Sequence, residues 1–160
     1  MLVVQNFYQT RLKVTPIARI YPPLTCYDIS VSANDNTYGI GSSDLHIYLR
    51  YVTDNTIAYG ATGISCSQIT SIASYPDNTF QKNRPIVGRI IFNTYNLMDG
   101  QALTNRLFAS ITATALHETI HILGFDSSMY NFFMDPATAK PYNYTIIQNV
   151  NLNAGMHFYI

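Results

Sequence analysis

The chain has 160 residues, of which 48% are hydrophobic and only 11% charged, and nine basic side chains balance nine acidic ones. That length suits one domain with a real core. Zero formal net charge and the lack of any run of Lys or Arg exclude nucleic acid as a partner, because phosphate binding needs clustered cations.

The opening MLVVQNFYQTRLKV is not a signal peptide: its apolar run is too short and no small-residue cleavage site follows. No stretch approaches the ~20 apolar residues of a membrane span. The chain therefore reads either as a soluble intracellular protein or as an exported one whose true N-terminus lies upstream. Its many Tyr, Asn, Ser and Thr give the uncharged polar surface more typical of export.

Residues 12–20 (LKVTPIARI) predict a short strand, interrupted by Tyr21-Pro22-Pro23. Residues 34–43 (NDNTYGIGSS) are rich in turn formers and read as a loop. From Asp44 to Val52 the chain alternates, with Leu45, Ile47, Leu49 and Tyr51 on the apolar side and His46, Tyr48 and Arg50 on the polar one. That places His46 on a strand surface rather than on a metal. Residues 57–66 (IAYGATGISC) make a thin strand of small residues, the kind of sheet edge that lets another backbone lie close. Residues 67–85 are turn-rich, and Pro85 leads into a β-branched run, Ile86 to Phe92, broken by Gly88. Residues 94–100 are a connection. From Ala102 to Leu123 apolar residues recur at steps of three or four, the period of a helix, and Gly124 stands where a left-handed cap would stop it. Beyond Pro136 the chain is irregular, with a strand at 144–150. Strands first and a long helix afterwards give an α+β fold. Cys26 and Cys66 are either one disulfide or two buried thiols, depending on compartment. Asn143-Tyr144-Thr145 is an N-glycosylation acceptor, weak on its own.

The chemistry concentrates in ATALHETIHILGFDSS, residues 113–128. His117 and His121 are four apart, one helical turn, so both rings can reach one cation at about 2.0–2.1 Å. Glu118 is offset from that direction, missing the metal but within reach of a water on it, as a general base must be. With four histidines and a single glutamate in the chain, a chance H-E-x-x-H is on the order of one in a thousand. The bland alternative is a helix with two surface or core histidines. The apolar Leu116, Ile120, Ile122 and Leu123 around them argue against it, because buried imidazoles need partners.

One zinc ion of this kind wants a third protein ligand. No glutamate follows Glu118, and the position three past Gly124 is Ser127, not histidine. The only downstream histidine is His157.

HETIHILGFDSS, followed by YNFF and DPATAKPY, and preceded in order by SDLHIYLRYV, AYGATGISC and RPIVGRIIFN, resembles the leishmanolysin family of zinc metallopeptidases. The likeness covers roughly residues 10–145. It implies a metzincin-like N-terminal subdomain, in which a twisted mixed sheet lies against a long active-site helix at about 102–123. It also implies a zinc-dependent endopeptidase acting on protein or peptide substrates, with His117 and His121 as metal ligands and Glu118 as the catalytic base. Location outside the cell or at its surface, membrane association and a role in adhesion are further implications. The family's third histidine follows the glycine after some tens of residues and is itself followed by a methionine turn. His157 is a candidate for it, but Gly155-Met156 and Phe158-Tyr159 depart from the expected flanks, and no methionine follows. The expected organisation of residues 1–160 is thus a single partial peptidase domain, upper subdomain and active helix, with the lower subdomain largely missing. A catalytically inactive paralogue or an adhesion module on a peptidase scaffold is the alternative function.

Overall fold

The computed structural model describes residues 2–12, 14, 17–69, 83–98, 104–126, 129–130, 133–135, 138, 140–141, 149–151 and 157–159. In chain order it contains α1 (Leu2–Gln9), β1 (Arg19–Ile20), β2 (Thr25–Cys26), β3 (Ile29–Ser30), α2 (Ala33–Tyr38), β4 (Ile40–Gly41), β5 (His46–Val52), β6 (Ala61–Gln68), β7 (Pro85–Asn93), α3 (Thr94–Met98) and α4 (Asn105–Ile122). The short pairs β8 (Met134–Asp135) with β9 (Lys140–Pro141), and β10 (Asn149–Asn151) with β11 (His157–Tyr159), follow. The architecture is α+β: small sheets and few helices, as the order of periodicities predicts.

The organising element is a three-stranded mixed sheet in the order β5-β7-β6. β5 runs parallel to β7, and β6 runs antiparallel to it. The middle strand β7 is almost wholly buried, which explains why PIVGRIIFN reads as a continuous apolar run rather than an alternating one. Gly88 interrupts that run because α4 lies there. A Cβ at position 88 would collide with Cγ2 of Ile122, which is fully buried. Gly63 on β6 repeats the relationship one helical turn earlier: its Cβ would run into the backbone carbonyl of Glu118. The two glycines form a notch on adjacent strands, and α4 sits in it with Glu118 and Ile122, four residues apart, facing down.

The opposite face of the sheet carries the apolar cluster of Ile17, Ile20, Ile69 and Val87, with Tyr48, Cys66, Ile40 and Ile86 around it. A hairpin, β2–β3, is fastened to this sheet at three strands. Cys26 is disulfide-bonded to Cys66 of β6, the outcome left open by the sequence. Cys66 falls in a β-bulge, where the pairing jumps from Ser65 to Ser67. A bulge re-aims a side chain out of the strand's alternation. At the hairpin turn Asp28 Oδ2 lies 2.7 Å from Arg50 Nη1 of β5, and Oδ1 lies 3.2 Å from Nε of the buried Arg89 of β7.

Four expectations are corrected. The strand at 12–20 shrinks to Arg19–Ile20, because the chain begins as a helix whose last turn runs to Leu12 through the bond from Leu12 N–H to Tyr8 O. Residues 34–43 are not simply a loop. Ser32 caps a short helix by accepting from Asn34 N–H, and Gly39 ends it at φ +70°. Residues 94–100 are not only a connection, since Thr94–Met98 is helical. On β5 the expected alternation does not hold: His46, Ile47 and Tyr48 are half-buried, whereas Leu49, Arg50 and Tyr51 are exposed. The reason is that α4 packs on β6 and β7 and leaves β5 open on that side. The expected strand at 144–150 lies mostly outside the described residues, as does the acceptor triplet at Asn143; the described part pairs Asn149–Asn151 with β11. No helix among the described residues is long and apolar enough to cross a membrane.

Candidate metal centre

Helix α4 starts at Asn105 with Thr104 as its cap, the hydroxyl accepting from Leu107 N–H at 3.2 Å. Its end is a Schellman turn. Phe125 N–H donates to Ile120 O, Gly124 N–H donates to His121 O, and Gly124 takes φ +107°. The stop expected at Gly124 is therefore where the helix ends. Its consequence for chemistry was not legible in the sequence: the turn swings the Phe125 carbonyl back over the last helical turn, where it accepts from His121 Nδ1 at 3.0 Å.

That bond fixes the His121 tautomer. With the proton on Nδ1, the lone pair is on Nε2. His121 Nε2 lies 3.0 Å from His117 Nε2, with the ring centroids 4.7 Å apart and the planes at 84°. Two nitrogens bound to one tetrahedral zinc at 2.0–2.1 Å stand about 3.3 Å apart. The pair thus fits two corners of such a set, and both rings face partly outward, as an accessible cation site requires.

Glu118 points elsewhere. Its side chain is buried at 8% exposure, and Oε2 accepts from Gly63 N–H at 2.6 Å. A carboxylate taken from water needs hydrogen bonds, and a backbone N–H at this length is a charge-assisted one. Oε1 has no protein partner among the described residues. The helix is braced on its other side by α1, where the Tyr8 hydroxyl donates to Leu116 O at 2.8 Å, one residue before His117.

Of the two remaining histidines, His46 stands apart from this pair, and His157 is described in its backbone alone. His157 pairs with Asn151 across β10–β11, and its side chain lies outside the described residues. His46 packs edge-on against Tyr48, with ring centroids 4.7 Å apart, and Tyr48 donates to Asp35 Oδ2 at 3.1 Å. Among the described residues no three His, Cys, Asp or Glu side chains gather closely enough to hold a metal. The donor set shown is two imidazoles. After the motif, Phe133 lies edge-on to the exposed Phe125 and to Tyr130.

Compared with known proteins, the chain matches no family model, no curated protein and no solved structure.

Proposed function

We propose that the chain is a zinc-dependent metalloendopeptidase of the leishmanolysin type, with a metzincin-like upper subdomain. The observation that carries this reading is the His117–His121 pair. Two Nε2 atoms stand 3.0 Å apart, and the second ring is held by a backbone carbonyl. A helix with two idle histidines does not need that second bond. A metal-ligating histidine typically has one, because its free ring nitrogen must be aimed.

In this reading His117 and His121 supply two ligands, and His157 is the candidate for the third. A zinc ion held there supplies Lewis acidity towards water and a peptide carbonyl. Glu118 takes the proton of the attacking water and delivers it to the leaving amine. The substrate is an extended protein segment laid along β6, a strand with β7 on one side only among the described residues. Small residues such as Ala61 and Gly63 leave that approach open. The Cys26–Cys66 cross-link is in keeping with an extracellular or cell-surface location, since disulfides persist in oxidising compartments.

The test is cleavage of an unfolded protein with and without zinc. Wild type cleaves only with zinc, and Glu118→Ala loses cleavage while still binding the metal. Unchanged cleavage by that variant sinks the assignment. Tight zinc binding without any cleavage favours the alternative, a non-catalytic relative or adhesion module.

A further inference from the structure

We infer that Glu118 plugs the free edge of β6 in the resting protein, and that an incoming extended peptide displaces it. The inference rests on the peptidase reading and adds a device to it. Three observations converge on Gly63. It belongs to β6, which is paired with β7 on one side only among the described residues. Its N–H is bonded not to β7 but to Glu118 Oε2, at 2.6 Å. And it is a glycine where only glycine fits, since an added Cβ would stand 2.9 Å from both the carbonyl carbon and Cβ of Glu118.

An antiparallel strand offers N–H groups alternately to its partner and away from it. Gly63 N–H is therefore an outward-facing donor of the kind a peptide adding to β6 would use. Glu118 occupies it with a carboxyl oxygen at 2.6 Å, where a peptide carbonyl would otherwise accept. The same carboxylate sits next in sequence to His117. While it is bonded to Gly63, one of its oxygens is turned towards the strand and away from proton transfer. A peptide whose carbonyl takes over Gly63 N–H frees that oxygen from the strand. Gly63 is thus a positioning residue: its N–H parks the base, and strand addition frees it. Strand pairing and base release become one event, so a ligand that reaches the histidines without pairing to β6 leaves the base parked.

The test reads binding, not catalysis, and is done in EDTA. The probe is an uncharged, fluorescein-labelled octapeptide of Ala, Ser and Val, followed by anisotropy. Glu118→Ala removes the plug and binds at least about ten-fold more tightly than wild type, as befits loss of a competing charge-assisted hydrogen bond. Glu118→Gln keeps a weaker, neutral acceptor and falls between the two. In 15N-labelled wild type the Gly63 amide proton resonates downfield and moves on saturation with the probe. Equal affinities for all three proteins, equal gains in the two variants, no binding by Glu118→Ala, or a Gly63 resonance that ignores the probe each overturn the inference. The peptidase reading fails separately, by the absence of zinc-dependent cleavage that Glu118→Ala abolishes.

Discussion

Nε2 of His117 stands 3.0 Å from Nε2 of His121, and the latter ring is oriented by a backbone carbonyl that exists only because the helix turns back at Gly124. The helix stop and the ligand geometry are therefore coupled. At φ +107° a Cβ would meet nothing nearer than Phe133 Cε1 at 3.8 Å, so the cost of Gly124→Ala is conformational rather than steric. We expect it to lower stability by about 1 kcal/mol or more. It should also weaken zinc binding by roughly ten-fold or more, the usual cost of losing a partner that aims a ligand. Isothermal titration with zinc checks this, with His117→Ala and His121→Ala as references for loss of a ligand. Zinc affinity unchanged in Gly124→Ala would show that the Phe125 carbonyl plays no part in aiming His121.

The notch made by Gly63 and Gly88 predicts an order of costs. At Gly63 the added methyl meets the backbone of Glu118, which cannot rotate away. At Gly88 it meets side-chain atoms of Ile122, Cγ2 nearest and then Cδ1 at 3.0 Å. Overpacking typically costs 1–3 kcal/mol. Gly63→Ala should lie at the upper end of that range or beyond it, and Gly88→Ala lower. Gly88→Ala should cost less on an Ile122→Ala background, where the colliding atoms are gone, whereas no side-chain truncation rescues Gly63→Ala. Urea unfolding of the single and double variants reads this directly. Equal costs at both glycines would refute the notch.

The Cys26–Cys66 bond closes a separation of 40 residues and ties the β2–β3 hairpin to β6. A loop of that length gives about 4 kcal/mol on a chain-entropy argument, with about 2 kcal/mol a common measured outcome. We expect the Cys26→Ala, Cys66→Ala double variant to melt well below wild type. The hairpin should keep part of its attachment through Asp28, which meets both Arg50 and the buried Arg89. Removing Asp28 in the double variant should therefore cost more than removing it from wild type. Urea unfolding of the four proteins closes the cycle, and additive losses would mean the two attachments are independent.

Much of this site is legible in the sequence because it is local. Two histidines one helical turn apart, a glycine at the helix end and a β-branched run with a glycine inside it all obey rules of a few residues' reach. The same locality explains the failures. The exposure of Leu49 and Tyr51 on β5 depends on where α4 lies, over β6 and β7, and no alternation within residues 44–52 encodes that. Ser32 caps α2 and Gly39 ends it, but the Asn and Asp between them are turn formers too, so the stretch reads equally as a loop. The roles of Gly63 N–H and the Phe125 carbonyl are carried by the backbone, which every residue has, so no residue type announces them.

His46 supplies the pH prediction. Burial beside Tyr48 pushes its pKa below the usual histidine value, and Asp35 opposes that shift only in part. The folded protein therefore favours the neutral ring. Its contribution to stability is present above the unfolded pKa of about 6.5 and is lost as pH falls below it through the lowered folded value. In EDTA, so that no metal competes for the other histidines, the melting temperature of wild type should drop between pH 7 and pH 5. His46→Gln cannot take up a proton there, and its drop should be shallower. Tyr48, pushed up to about 12 by burial and its bond to Asp35, stays neutral throughout that window and contributes nothing to the slope. If His46→Gln and wild type lose stability in parallel, the acid sensitivity belongs to other groups and the buried face of β5 tolerates a charged imidazole.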